Sequence, residues 1–551
     1  MIAVQKKSTV IRNIILFMHN EFYRHKIKKK LQSTKKSLLS ITGKNYFCTQ
    51  TLFFNKQNTL TPLTPLTPLT PLTPLTPNMT QSAFHQKLQQ HFGFEPTGSQ
   101  HETMQALSSF IYEKGENFLF ILQGYAGTGK TSLVSALIKA LEDIGVNTVI
   151  LAPTGRAAKV ISQYAGHKAY TIHKWIYRLG VRNGIRQFFR RENKYSHTLF
   201  IVDEASMISA ESTLGELPGM SSLLDDLIEY VFSARHNRLL FIGDDAQLPP
   251  VHATESPALN AEYLQHAYHL NIRGSRLTDV VRQTLDSGIL FNATRLRDKL
   301  NQDDIAFPFF SKQPFDDFTR VPGGELEELL NNLYNQNDCD EIVAITRSNK
   351  RAWLFNNEIR SRILFRENRI TTGDYLMAVK NNYFWVDETS EVGFIANGDI
   401  MEVMAIHKQQ EIYGFNFADV TVRLCDYPNY PDIDIKIILE SLEVEGPSLP
   451  YEDNQRLYMA IAEDFEDIPN KRARFLRIKN SPYLNAVQVK FAYSLTCHKT
   501  QGGQWKHVLI DQGYLTENIL DREYLRWLYT AVTRSTGNVY LINFEEKMFE
   551  G

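Results

Sequence analysis

The sequence predicts an α/β protein built from two parallel-sheet domains in tandem, with small β insertions. Three observations predict this class. Apolar runs of strand length alternate with helical patterns from residue 79 onward. The runs form an early group at 118–122, 147–152, 198–202 and 238–242, and a late group at 341–345, 489–494, 507–510 and 538–542. The first run leads into Gly124-Tyr125-Ala126-Gly127-Thr128-Gly129-Lys130-Thr131, which fits the phosphate-loop pattern G-x-x-x-x-G-K-[ST] without substitution. At 551 residues the chain is too long for one core, and with 43% hydrophobic and 22% charged residues its composition is globular.

The first seventy-eight residues differ from the rest. Residues 1–60 hold twelve Lys/Arg against one acid, Glu21, which leaves 48 basic against 60 acidic residues beyond them. Such a basic, acid-poor segment has the composition of an organelle transit peptide, which would send the protein to mitochondria. Translation starting at Met79 is the other reading, and a bacterial cytoplasm is then expected. Leu60 to Pro77 repeats Leu-Thr-Pro six times, and its prolines forbid helix or central strand, so an extended spacer is expected. The acidic remainder argues against a broad nucleic-acid-coating surface but leaves room for a narrow basic groove. Cys48, Cys339, Cys425 and Cys497 stand far apart without a C-x-x-C pair, so no zinc or iron–sulfur site is indicated. Ile14-Ile15-Leu16-Phe17-Met18 is too short to span a bilayer, and no membrane is expected as a partner.

Phe118 to Leu122 reads as a buried parallel strand and Ser132 to Ile138 as the helix after the phosphate loop. Glycines let successive N–H groups cup a polyphosphate, and the helix N-terminus adds partial positive charge. The cradle is therefore Gly124, Ala126, Gly127, Thr128, Gly129 and Ser132, with Lys130 reaching the β/γ-phosphates and Thr131 holding Mg²⁺. Phe200-Ile201-Val202-Asp203-Glu204 is a strand ending in two carboxylates. Asp203 is placed to complete the Mg²⁺ shell and Glu204 to polarise the attacking water. A third strand ends at Gly243-Asp244-Asp245-Ala246-Gln247, where Gln247 is in position to contact γ-phosphate and water.

Asp203-Glu204-Ala205-Ser206-Met207 and Gly243 to Pro250 resemble motifs II and III of superfamily 1 DNA helicases, most closely the RecD-like branch of subgroup B. The resemblance extends to Ala152 to Ala158 (motif Ia), Thr171-Ile172-His173 (Ib), Leu277 to Gln283 (IV), Thr496 to Gly502 (V) and Tyr529 to Arg534 (VI). It implies two RecA-like domains, at 79–275 and 276–551. It implies that Arg282 and Arg534 stabilise the γ-phosphate and that Gln100 reads adenine. Thr154, Arg156, His173, Thr496, His498 and Lys499 match positions near the nucleic-acid strand.

Asn183-Gly184 is a two-residue hairpin signal within an arginine-rich stretch at about 178–197. The family places its strand-splitting pin here, and Phe188 and Phe189 would stack at the fork; a plain basic hairpin with inward phenylalanines is the alternative. Short alternating runs at 405–485 read as a β insertion, matching in position a small β-barrel of the family. The resemblance implies an ATP- and Mg²⁺-dependent DNA helicase moving 5′→3′ on single strands and unwinding forked duplex, in repair or recombination with protein partners from those pathways. An RNA helicase, a regulatory NTPase and the motor subunit of a helicase–nuclease remain the alternatives.

Overall fold

The computed structural model describes residues 79–550 except 183–184, 212–221, 280–286, 303–306, 308, 312–314, 388–389, 391 and 514–519, with the backbone alone for 179–182 and 185–188. The first strands are β1 (Phe118–Gly124), β2 (Asn147–Ala152), β3 (Ala169–Thr171), β4 (Tyr177–Arg182), β5 (Ile185–Arg190), β6 (Thr198–Val202), β7 (Arg238–Gly243) and β8 (Asn271–Leu277). Six of them form a parallel sheet in the order β3-β2-β6-β7-β1-β8. Its central strands are near-continuous apolar runs because helices cover both faces. Helices Gln81–Phe92, Gly98–Tyr112 and Lys130–Asp143 pack on one side, and Ile172–Ile176, Leu223–Phe232 and Ala261–Tyr268 on the other. All the strand ends that carry motif residues therefore open on one edge. The carboxylate strand β6 is not the neighbour of β1, however: β7 lies between them. Strand β8 was not anticipated, because an edge strand needs no apolar run, and Asn271-Ile272-Arg273-Gly274-Ser275-Arg276 is largely exposed or half-buried. It carries the first sheet to Leu277, two residues past the expected boundary at 275.

The second half supplies β9 (Phe318–Val321), β10 (Ile342–Thr346), β11 (Tyr375–Ala378), β12 (Ile400–Ile412), β13 (Phe415–Leu424), β14 (Ile433–Ile438), β15 (Val487–Phe491), β16 (Ser494–Thr496), β17 (Trp505–Asp511) and β18 (Ser535–Ile542). A second parallel sheet runs β16-β10-β17-β18-β9, and β11 to β15 close into a barrel. The barrel strands thus span 375–491 rather than 405–485. The apolar run at 489–494 is divided: Val487–Phe491 closes the barrel while Ser494–Thr496 edges the second sheet. Burial asks for apolar residues in both places, so hydrophobicity alone could not show the break. Two bulges in β12, between Val403/Ala405 and Ile406/Lys408, bend this long strand for closure. Helices Tyr451–Glu463 and Lys471–Lys479, which interrupt the expected β insertion, pack on the barrel flank around Phe415, Phe417 and Ile461.

The barrel is tied to the second lobe by a buried ion cluster. Asp374 accepts from Arg360 at 3.0 and 2.9 Å, Arg366 at 2.8 Å, Tyr493 Oη at 3.0 Å and the Thr371 N–H at 2.7 Å. Removing one partner of a buried pair strands the other charge. Asp374→Ala is accordingly expected to cost about 3–5 kcal/mol in chemical denaturation, and a loss under about 1 kcal/mol would show that the cluster holds nothing together.

Candidate active site

The phosphate loop joins β1 to the helix Lys130–Asp143. Gly127 and Gly129 take left-handed φ values of 75° and 81°, which turn successive N–H groups inward. A Cβ on Gly129 would also stand 2.7 Å from Gln100 Nε2. Gly129 caps the helix with no side-chain hydrogen bond, so the first N–H groups retain their capacity for an anion. Lys130 Nζ donates to the carbonyls of Gly124 at 2.6 Å and Tyr125 at 2.8 Å, and Thr128 Oγ1 donates to Tyr125 O at 2.8 Å. Gln100 is buried; its Nε2 donates to Thr128 O at 3.0 Å and its Oε1 accepts from Thr97 N at 2.9 Å in a capping box. Each end of its amide thus makes one bond that braces the loop and keeps one further donor or acceptor, the pair that adenine reading would use.

Asp203 and Glu204 follow β6, with Glu204 at φ 51° and its N–H donating to Asp203 Oδ1 at 2.9 Å. Burial, reinforced by the Glu204 charge, pushes the Asp203 carboxyl up to about 7, with Lys130 and the Glu204 N–H opposing. Such a carboxyl gains most from a cation. No cluster of three or more His, Cys, Asp or Glu that could hold a metal occurs among the described residues. One carboxylate and the Thr131 hydroxyl fit Mg²⁺, which keeps water and phosphate oxygens in its shell, better than an ion needing a full protein cage. Gln247 is buried and its Oε1 has no hydrogen-bond partner, which leaves an acceptor at the end of β7.

The second lobe reaches this edge through the helix Arg522–Val532. Tyr529 Oη accepts the Ala126 N–H of the phosphate loop at 2.9 Å and donates to Asp244 Oδ2 at 2.6 Å. Thr530 Oγ1 accepts from Leu248 N at 2.8 Å, and Gln501 Nε2 donates to Leu248 O at 2.6 Å. Ala246 and Leu248 sit within the apolar core of the second lobe. Tyr125 lies between two guanidiniums: Arg276 donates to its hydroxyl at 2.8 Å, and Arg297 stands 4.7 Å from its ring centroid. None of Tyr529, Thr530, Gln501 or Arg297 was singled out from sequence. The first three lie within motifs V and VI, but their hydrogen bonds depend on lobe packing that no local pattern encodes.

Arg534 is 4% exposed, and the hydrogen bonds of its guanidinium stay within the second lobe. Its guanidinium donates to Thr530 O at 3.0 Å and Thr533 Oγ1 at 3.3 Å and approaches Gly503 O at 3.4 Å, so it caps its own helix. Arg282 lies outside the described residues.

Four of the residues expected near nucleic acid line one cleft between the lobes, of about 510 Å³: Thr154, Arg156, His498 and Lys499. Arg156 crosses it, its guanidinium 3.8 Å from the Trp505 ring centroid and donating to Gln504 O at 3.2 Å. Thr154 caps the helix Gly155–Ala165 by accepting from Ala157 N. Lys499 Nζ donates to Asn397 Oδ1, and burial pushes the His498 ring down. Thr496 lines a small neighbouring pocket instead. Asp399 also lines the cleft, and burial with the Asp426 charge raises its carboxyl to about 8. It is neutral at pH 7 and does not repel phosphate there.

His173 is not among the cleft-lining residues, and burial depresses it to about 4, so it brings no cation to a phosphate at neutral pH. A depressed histidine costs stability as pH falls from 6.5, its ordinary value, toward 4. In an NMR pH titration the ring is expected to stay neutral down to about 4, and a midpoint near 6.5 would contradict that burial. Of the two hairpin phenylalanines, Phe189 is half-buried, with the Arg178 guanidinium 5.9 Å from its ring centroid; the Phe188 side chain lies outside the described residues.

The family described as AAA domain matches residues 98–307, and the UvrD-like helicase C-terminal domain matches 491–542. An uncharacterized protein of Acanthamoeba polyphaga mimivirus is 24% identical over 500 residues, covering 79% of this chain and 97% of its own length. The ATP-dependent RecD2 DNA helicase of Deinococcus radiodurans is 33% identical over 136 residues, 24% of this chain and 16% of its own. A crystal structure of Bacteroides Pif1 bound to ssDNA aligns with a TM-score of 0.42 at 17% identity, over 83% of this chain and 95% of that one. The two matched domains fall on the first and second sheets, and the phosphate-loop cleft lies where they meet. The matched domains and the RecD2 segment support an ATP-hydrolysing DNA helicase of superfamily 1, of the RecD type.

Proposed function

We propose that this ATP hydrolase moves 5′→3′ along single-stranded DNA and opens forked duplex, using ATP with Mg²⁺, in repair or recombination. The observation that carries the motor reading is the seam at the nucleotide edge. Tyr529, Thr530 and Gln501 of the second lobe bond directly to Ala126, Asp244 and Leu248 of the first. Events at the phosphate loop are therefore felt by the lobe that completes the nucleic-acid cleft. Lys130 and the inward N–H groups of the loop bind the polyphosphate and stabilise charge on the departing γ-phosphate. Glu204 orients and deprotonates the attacking water, with Gln247 Oε1 as a second acceptor. Asp203 and Thr131 would hold Mg²⁺, which neutralises phosphate charge.

The 5′→3′ direction follows the resemblance to subgroup B, and the DNA preference follows the DNA helicases among the relatives. A strand-displacement assay on duplexes with a 5′ or a 3′ tail tests direction, and unwinding from the 3′ tail alone would overturn it. Stimulation of ATP hydrolysis by RNA but not DNA would turn the reading to an RNA helicase. The hairpin β4–β5 is the proposed pin. Replacing Phe188 and Phe189 together with Ala is expected to slow unwinding about tenfold while DNA-stimulated ATP hydrolysis changes less than twofold, from the loss of base stacking. Equal losses in both would remove the pin.

A further inference from the structure

A second groove lies on the first lobe alone, at the foot of the hairpin. Trp175, Arg178, Arg191, Lys194, Tyr195 and Tyr230 line it with one acid, Glu192, around a volume of about 670 Å³. Its wall is fixed although residues 191–196 form neither helix nor strand. Arg191 donates from its N–H to Ile176 O at 2.7 Å and from Nε to Tyr177 O at 2.6 Å. Buried Asn193 donates to Tyr230 O at 2.9 Å, and buried Asn237 donates to Tyr195 O at 2.8 Å. These amides hold the segment against the helix Leu223–Phe232, so the groove is preformed. Trp175 and Tyr195 stand 5.4 Å apart between ring centroids, and Tyr195 is 43% exposed. No carboxylate lies within ion-pair distance of Arg178, Arg191 or Lys194 among the described residues.

Aromatic faces beside cations without carboxylate partners are the combination that holds single-stranded nucleic acid: rings stack on bases while cations follow the phosphates. We propose that this groove binds the single strand displaced at the fork. The assignment rests on the helicase reading above. The cleft between the lobes is the proposed path of the translocating strand, whereas this groove is lined by the first lobe only. Arg178 lies in β4 and Arg191 directly follows β5, so the groove opens where a strand-dividing hairpin joins the lobe. A hairpin that parts two strands sends one to each side, and the chemistry here suits the one leaving.

Tyr195→Ala and Lys194→Glu test the proposal by equilibrium binding to two substrates with the same loading tail, one carrying a second single-stranded arm and one lacking it. Affinity for the two-armed fork is expected to fall about tenfold for Tyr195→Ala. Lys194→Glu is expected to reduce the salt dependence of fork binding. Affinity for the one-armed substrate and ATP hydrolysis with single-stranded DNA are expected to stay within twofold of the parent. In the unsubstituted protein, 5-iodouridine in the second arm is expected to crosslink to Trp175 or Tyr195, which checks the site without any substitution. Equal effects on both substrates, no effect on either, or crosslinks elsewhere only would overturn the proposal. A parent protein whose ATP hydrolysis ignores DNA would overturn the helicase reading itself.

Discussion

Lys130→Ala is expected to lower ATP turnover by at least about 10²–10³-fold, the usual loss when a charge-stabilising donor is taken from a preorganised oxyanion site. The fold should survive. Lys130 is the first residue of its helix, where alanine is the better helix former, and its ammonium bonds only to the loop carbonyls of Gly124 and Tyr125. Those bonds show the reach of the side chain: Nζ lies over the opening residues of the loop, and a bound polyphosphate would compete for it with the two carbonyls. Steady-state hydrolysis beside a thermal melt separates the two effects. Turnover within tenfold of the parent, at an unchanged melting temperature, would remove Lys130 from the site.

Strand identity was legible wherever burial on both faces demanded an apolar run. β1, β2, β6, β7, β10, β17 and β18 all stand within a few residues of their expected positions. Legibility failed where burial stopped being the constraint. Strand β8 is an edge, so its side chains are polar and only its backbone pairing to β1 makes it a strand. The barrel failed differently: Tyr375–Ala378 and Val487–Phe491 are distant in sequence, and only their pairing shows that the barrel begins and ends there. At the site, glycine spacing revealed the phosphate loop because the required backbone geometry is local. The Tyr529 bridge from Ala126 to Asp244 is invisible to such reading, since it joins residues about 400 and 285 positions apart. Arg156 was readable as basic and on a loop, but its stacking on Trp505 depends on how the lobes face each other.

Arg534→Ala is the sharper test, because sequence and structure assign this side chain different partners. The helicase resemblance makes Arg534 the residue that stabilises the γ-phosphate in the transition state, where arginine fingers contribute about 10³–10⁵ in rate. In the structure three of its N–H groups donate to Thr530 O, Thr533 Oγ1 and Gly503 O, so the guanidinium closes the C-terminal end of the helix that carries Tyr529. A catalytic Arg534 must leave those acceptors when nucleotide binds, whereas a purely structural one never does. If it swings to the nucleotide, Arg534→Ala should bind ATP within about threefold of the parent and lose about 10³-fold in kcat, far more than any loss of folded protein accounts for. If it only caps the helix, the melting temperature should drop, reflecting about 1–3 kcal/mol for exposed or unsatisfied carbonyls, and kcat should fall no more than the folded fraction does. Arg534→Lys sharpens the distinction. A lysine keeps the positive charge near the helix C-terminus, which favours cations, but it lacks the planar fork that spans two phosphate oxygens. Restored stability with kcat still down by more than 10²-fold would therefore assign Arg534 to the γ-phosphate, and recovery of both together would assign it to the helix.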